Sequence, residues 1–171
     1  MLLKFFRNLD KMVKINLKMK AHLEAIEKIS SNDPDFQWFL KLKCTNCGEI
    51  SDKWHDICLS ETVSQKGGRG ETNFACKCKM CGRENTLDIL SDSLKPYTKN
   101  DDEKFKAIVT FDCRGIEPVE FSPRAGWVVE AEDSGSIFKN VDLSDDWVEY
   151  DERANRSVTI DELTFEFERV K

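Results

Sequence analysis

The sequence predicts an all-β protein of two pseudo-symmetric, barrel- or sandwich-like lobes, and three observations carry that prediction. Apolar residues recur at every second position in most segments, the period of a strand with one buried face. No i, i+3, i+4, i+7 pattern persists, so nothing longer than a short helical turn near Ala25 to Ile29 is expected. An internal echo relates Phe36 to Cys44 with Phe105 to Cys113: each run ends at Cys, followed by Gly48-Glu49 in one and by Gly115 and Glu117 in the other. The echo implies a duplication in which one lobe holds a metal and the other is held by apolar packing.

Val13, Ile15, Leu17 and Met19 alternate with polar residues and predict a first strand running toward Leu23. Met12 stands directly before it, which leaves residues 1–11 as an unpacked extension. Ser31-Asn32-Asp33-Pro34-Asp35 predicts a turn. Phe36, Trp38, Leu40 and Leu42 then form the apolar face of a second strand. Further strands are expected over Ile50 to Trp54, Ile57 to Val63, Phe74 to Lys77, and Asn85 to Ile89. Lys66-Gly67-Gly68-Arg69-Gly70 lacks the G-x-x-x-x-G-K-[ST] spacing of a phosphate loop and reads as a hairpin tip. Ser91 to Glu103, with Pro96 and a run of polar residues, reads as a linker. Beyond it Phe105 to Cys113 and the terminal Val158, Ile160, Leu163, Phe165 and Phe167 alternate again, with Gly- and Pro-punctuated apolar clusters between them.

The chemistry concentrates in two short stretches, Cys44-Thr45-Asn46-Cys47-Gly48 and Cys78-Lys79-Met80-Cys81-Gly82. Two residues between cysteines make a tight turn that brings both sulfurs to one ion. Glycine directly after can take φ > 0 and turn the chain away. Four thiolates in two such turns suit the tetrahedral shell of a structural zinc. A disulfide pair is the competing reading and needs an oxidising compartment, for which nothing in the sequence argues. Cys76 offers a further thiol beside the second pair, but only Cys78 and Cys81 reproduce the spacing of Cys44 and Cys47. Cys58 and Cys113 read as small core residues. His22 reads as a paired surface side chain. His55 is a candidate to approach the metal from a loop, but four cysteines already complete the shell.

Composition bounds the rest. Hydrophobic residues make up 40% of the 171 and charged ones 34%, which suits a soluble globular chain. No apolar run approaches membrane-spanning length. The first residues are too short and interrupted for a secretory core; the six basic residues among the first 20 leave a cleavable organelle presequence as an alternative, against which stand the lack of Ser and the single Arg. The cytoplasm is therefore the expected compartment, with the nucleus as the alternative. Residues 1–100 hold 17 basic against 13 acidic side chains, whereas residues 101–171 hold 9 against 19. A duplex-binding protein shows a basic stripe, so this balance argues against nucleic acid. The remaining option there is a single strand stacked on Trp54 beside Lys66 and Arg69. No H-E-x-x-H motif, nucleophile elbow or dinucleotide fingerprint is present.

Several ordered strings carry a resemblance. They are Trp38 through the first cysteine turn to Trp54, Lys66 to Gly70, Cys78 to Cys81, Arg83-Glu84-Asn85, Lys95-Pro96-Tyr97 and Cys113-Arg114-Gly115-Ile116-Glu117-Pro118. Together these resemble the eukaryotic family of CXXC-motif-containing zinc-binding proteins over about residues 12–171. The resemblance implies an all-β, two-lobed, pseudo-symmetric fold binding one zinc, and its ligand positions fall on Cys44, Cys47, Cys78 and Cys81. Residues 1–11 and Cys76 lie outside the family pattern.

The expected organisation is an N-terminal extension (1–11), a zinc-binding β lobe (12–97) and a metal-free acidic β lobe (98–171). The expected function is a non-enzymatic zinc protein, one Zn²⁺ per chain, acting as a monomeric protein-interaction or metal-handling adaptor. The competing function is a thiol-dependent redox enzyme using Cys76 or Cys113 near the metal.

Overall fold

A computed structural model describes residues 12–65 and 70–171; the expected extension and Lys66 to Arg69 of the expected hairpin tip lie outside the described residues. Fifteen strands follow in order: β1 Val13–Glu24, β2 Ile26–Ser30, β3 Trp38–Cys44, β4 His55–Ile57, β5 Val63–Ser64, β6 Glu71–Thr72, β7 Phe74–Lys77, β8 Glu84–Ile89, β9 Tyr97–Thr98, β10 Lys106–Arg114, β11 Ile116–Ser122, β12 Trp127–Ala131, β13 Ile137–Val141, β14 Trp147–Asp151 and β15 Arg156–Arg169. Two single 3₁₀ turns, Ser91–Ser93 and Lys99–Asp101, flank β9. The all-β expectation holds.

The strand order shows the duplication. The largest sheet runs β14-β15-β1-β10-β8-β7, with the antiparallel pair β1 and β10 at its centre. Outward from that pair, β15 and then β14 flank β1, as β8 and then β7 flank β10. Each central strand then turns sharply into a second sheet. β1 passes through Ala25 (φ 58°) into β2, and β10 through Gly115 (φ 75°) into β11. β2 pairs with β12, which pairs with β13; β11 pairs with β3, which pairs with β4. Six strand pairs are thus related between the halves, β5, β6 and β9 having no counterpart among the described residues, and each lobe borrows two strands. The run from β1 to β8 lies within residues 12–97, and the run from β10 to β15 within 98–171. Neither run closes a lobe alone, because β10 and β11 complete the cysteine-bearing lobe while β1 and β2 complete the other.

This order corrects the echo. Phe36 to Cys44 ends in β3, whose counterpart is β12, whereas Phe105 to Cys113 covers β10, whose counterpart is β1. Similar alternation in two non-equivalent strands produced the match. The expected helical turn near Ala25 to Ile29 is also replaced, by a left-handed residue and strand β2. β2 buries Ile26 and Ile29 against the core while its backbone bonds to β12, which a lone helical turn would leave without partners. Ile50 makes a single bridge to Lys43 rather than starting a strand.

The expected linker is docked, not free. Tyr97 is fully buried, and its hydroxyl accepts the Ala21 N–H at 3.1 Å and reaches the Asp101 carbonyl at 2.6 Å. One buried aromatic with its polar end satisfied holds this segment against β1.

The core lies where the lobes meet. Trp38 of β3 and Trp127 of β12 are each 1% exposed, with Phe36 between them at ring distances of 4.7 and 4.8 Å. Trp38 also meets Phe111 of β10 edge-on at 6.0 Å. Such edge contacts add about 0.5–1.5 kcal/mol each beyond the area they bury.

Candidate metal centre

β3 delivers Cys44 to one corner of the fold, and the turn between β7 and β8 delivers Cys78 and Cys81 to the same corner. Each cysteine turn closes on itself in the same way. Cys44 N–H donates to the Glu49 carbonyl and Gly48 N–H to the Cys44 carbonyl, both at 2.8 Å. Cys78 N–H donates to the Arg83 carbonyl at 2.8 Å and Gly82 N–H to the Cys78 carbonyl at 2.9 Å. Gly48 (φ 81°) and Gly82 (φ 75°) take the left-handed conformation that reverses each turn, where any other L-residue is strained.

The four sulfurs of Cys44, Cys47, Cys78 and Cys81 lie within 4.8 Å of one another. Cys44 Sγ is 3.7 Å from Cys81 Sγ, and Cys47 Sγ is 3.5 Å from Cys78 Sγ. A tetrahedron with Zn–S bonds of ~2.3 Å has S···S edges of ~3.8 Å, so the donor set fits one zinc ion. All seven cysteines are free of disulfides. Without a cation Cys81 and Cys47 are driven in opposite directions. Hydrogen bonds from the Asn46 side chain and the Arg83 backbone pull Cys81 down to about 6. Cys47 goes the other way: the Glu49 backbone N–H works to lower it, but burial and the adjoining sulfurs hold it up to about 12. Four thiolates this close need a positive ion at their centre.

The surroundings support the corner. Thr45 N–H donates to the Gly115 carbonyl at 2.9 Å, tying the first turn to the β10–β11 bend. Asn85 is 1% exposed and lies between the two turns. Its amide is 3.7 Å from Cys44 Sγ, and the opposite orientation lets its nitrogen donate to the Gly115 and Glu84 carbonyls at 3.2 Å each. A Cβ on Gly115 would stand 2.0 Å from Asn85 Oδ1, so this bend requires glycine for space as well as for φ. The sequence reading names both residues but gives neither a role at the site. The available signal was Asn85 itself, a polar side chain in the apolar phase of the Asn85, Leu87, Ile89 run.

The other sequence candidates fall elsewhere. Cys58 and Cys113 are each 1% exposed, and burial pushes the Cys113 thiol up to about 12. Cys76 is half-buried on β7 and also raised by burial. His55 stands outside the sulfur cluster, with its ring 4.9 Å from Phe74 and its basicity lowered by burial. His22, itself on β1, faces Glu24, Asp102 and Glu103 at 3.5–3.6 Å. Beside the sulfurs opens a cleft of about 220 Å³, whose lining includes Leu42, Ile50, Lys53, His55, Cys76, Lys79 and Ile116. Ile50 and Met80, one from each cysteine turn region, are 45% and 71% exposed. Among the described residues no helix is long and apolar enough to cross a membrane.

Known proteins share this arrangement. The family model described as CXXC motif containing zinc binding protein, eukaryotic, matches residues 16–168. The CXXC motif containing zinc binding protein of Homo sapiens is 51% identical over 157 residues, covering 91% of this chain and 98% of that one. The UPF0587 protein CG4646 of Drosophila melanogaster is 53% identical over 162 residues, covering 94% and 99%. The crystal structure of C1orf123 matches with a TM-score of 0.88 at 50% identity, over 92% of this chain and 99% of that one. A hypothetical protein from Plasmodium falciparum shares the fold alone, with a TM-score of 0.83 at 22% identity, over 91% and 99%. Alike in sequence over nearly its whole length and in fold to a half-identical relative, this chain belongs to the eukaryotic family of CXXC motif containing zinc binding proteins.

Proposed function

We propose that Cys44, Cys47, Cys78 and Cys81 hold one Zn²⁺ whose role is structural, and that the chain is a non-enzymatic adaptor for a protein partner in metal or protein handling. The observation that carries the structural role is the mutual closure of the four sulfurs. A shell completed by four protein ligands leaves zinc no position for water or substrate, and a hydrolytic zinc needs one. The ion then supplies cohesion: it joins the turn after β3 to the turn between β7 and β8.

Support for the adaptor role is the surface around that corner. Ile50 lines an apolar cleft and Met80 is exposed on the second cysteine turn, and a rigid metal-clamped corner presents them at low entropic cost. The partner we infer is a protein with an apolar side chain for the cleft. The chain acts as a monomer in the cytoplasm or nucleus. The thiol-enzyme reading is weaker, because the thiolate is the reactive form and burial raises both Cys76 and Cys113 away from it.

X-ray absorption on the zinc-loaded chain tests the site, with four sulfur neighbours at ~2.3 Å expected; a mixed sulfur–nitrogen shell would overturn it and bring His55 forward. Proximity labelling in cells, repeated with Ile50→Glu and Met80→Glu combined, tests the adaptor role. Loss of specific neighbours with zinc content unchanged supports it, and an unaltered neighbour set removes it.

A further inference from the structure

The other lobe has a corner at the place equivalent to the metal centre, and its backbone repeats the bonds that tie the cysteine corner in place, while its first turn departs at Asp133 (φ 66°), where the Ser134 N–H donates to the Glu132 carbonyl at 2.8 Å. Cys44 N–H donates to the Glu49 carbonyl, and Ala131 N–H donates to the Ser136 carbonyl, both at 2.8 Å. Thr45 N–H donates to the carbonyl at the β10–β11 bend, and Glu132 N–H donates to the Ala25 carbonyl at the β1–β2 bend, both at 2.9 Å. Left-handed residues recur at matching steps: Gly48 and Gly135 four residues after Cys44 and Ala131, Gly82 and Asn155 four residues after Cys78 and Asp151. Asp151 pairs with Arg156 at the β14–β15 turn, as Cys78 bonds to Arg83 at the β7–β8 turn. This register sets Ala131, Ser134, Asp151 and Ala154 where the other lobe has Cys44, Cys47, Cys78 and Cys81.

The clamp at this second corner is a carboxylate. Asp151 is 1% exposed. It accepts the Ser134 hydroxyl on one oxygen, and the Ser136 hydroxyl at 2.8 Å and the Arg153 N–H at 3.1 Å on the other. The two serines come from the β12–β13 turn and Asp151 from the β14–β15 turn, so the carboxylate joins the same two turns that the metal joins in the other lobe. The Ser134 and Ser136 hydroxyls are 3.2 Å apart, which completes a closed polar cluster. A buried carboxylate needs such donors, and here all come from the chain itself.

We propose that the turns Ala131 to Gly135 and Asp151 to Asn155 form a second, metal-free counterpart of the zinc corner, clamped by Asp151, and that the ties the two corners share let it take a metal once cysteines stand at the four matching positions. Ala131→Cys, Ser134→Cys, Asp151→Cys and Ala154→Cys together restore the four ligand positions. The combined variant of the full chain, refolded with cobalt(II) as the probe, should bind two equivalents where the parent binds one. Both equivalents should show thiolate-to-cobalt charge-transfer absorption. A folded variant that takes one equivalent overturns the proposal. Because four changes risk the fold, a second measurement stands beside it: hydrogen exchange on Asp151→Asn, with the neighbouring Glu152→Gln as control. Exchange across 131–136 and 151–156 should rise at least tenfold in the first and stay at the parental level in the control. Unchanged exchange in Asp151→Asn overturns the clamp.

Discussion

The corner of β3, β7 and β8 and the corner of β12, β14 and β15 use one backbone plan with two clamps. At the first, four soft ligands converge and repel one another unless a cation joins them. At the second, one carboxylate meets hydroxyl and amide donors that the chain itself provides. The first corner is conditional on metal supply and on deprotonated thiols, since ligands must lose their protons to bind. The second is complete as soon as the chain folds. The pseudo-symmetry gives two equivalent corners, and on the proposed structural role only the one with four cysteines ties folding to zinc.

Removing zinc should give the largest effect. Zinc binding contributes ~10–16 kcal/mol in small zinc peptides, comparable with a domain's whole net stability of ~5–15 kcal/mol. Chelation, or Cys78→Ser, should therefore open the first corner outright. Hydrogen exchange should accelerate across 38–44, 74–89 and 106–122, while 127–141 and 147–169 keep more protection. The contrast is bounded by topology, because β10 of the failing lobe is hydrogen-bonded to β1 of the other. Equal protection of 38–89 with and without zinc would show that the metal does not hold this lobe.

Truncating the shared core should come next and should erase the contrast. Trp38 and Trp127 stand on equivalent strands of opposite lobes and pack through Phe36. Trp38→Ala and Trp127→Ala should each cost ~3–5 kcal/mol and loosen both lobes alike. Denaturant unfolding followed by lobe-specific hydrogen exchange checks this. A loss confined to one lobe in either variant would mean that the cores are separate.

The two bends sharpen the comparison at a smaller scale. Gly115 and Ala25 are equivalent, both left-handed, and only one is glycine. Gly115→Ala adds left-handed strain of ~1–2 kcal/mol and a clash with Asn85, so it should destabilise and loosen the zinc corner. Ala25→Gly relieves that strain but adds ~0.5–1 kcal/mol of unfolded-state entropy, so thermal unfolding should move little. A large loss on Ala25→Gly would show that the Ala25 methyl packs in a way its counterpart cannot.

Much of this was legible in the chain. Period-two alternation marked β1, β3, β8, β10 and β15, because each has one face on the core and the other in water. The cysteine turns were legible because zinc demands particular residues at fixed spacing. The duplication was legible only in a false register, since alternation alone cannot distinguish β10 from β3. The exchange of β1, β2, β10 and β11 between lobes was hidden, because long-range pairing leaves no local mark. The segment 91–103 read as a linker from its Pro and polar residues, yet one buried Tyr97 hydroxyl docks it. Asp151 sits in the acidic and aromatic run Asp145 to Glu152, and nothing in that run distinguishes the one carboxylate that is buried.

The smallest effect concerns acid, and it separates the two clamps by sign and by site. The Ser134 hydroxyl, with further donors behind it, outweighs burial and holds the Asp151 carboxyl below the usual carboxylate range. Its folded-state value is therefore lower than its unfolded one. Its stabilisation is present above the unfolded value, at neutral pH, and is lost as pH falls through the lowered one. Glu132, Asp133, Glu152, Arg153 and Arg156 lie on the same two turns; Arg156 is bonded to the Glu132 carbonyl at 2.9 Å and to Asp133 at 3.3 Å. Zinc release also destabilises the chain in acid, through protonation of the thiolates. The parent and Asp151→Asn share that loss, so it cancels in their difference. Urea midpoints of the two zinc-loaded proteins, measured from pH 7 downward, should start apart with the parent more stable. They should then converge as Asp151 takes up its proton. A gap that stays constant across that range would mean that the Asp151 charge contributes nothing to the clamp, which would then rest on charge-independent contacts of that side chain.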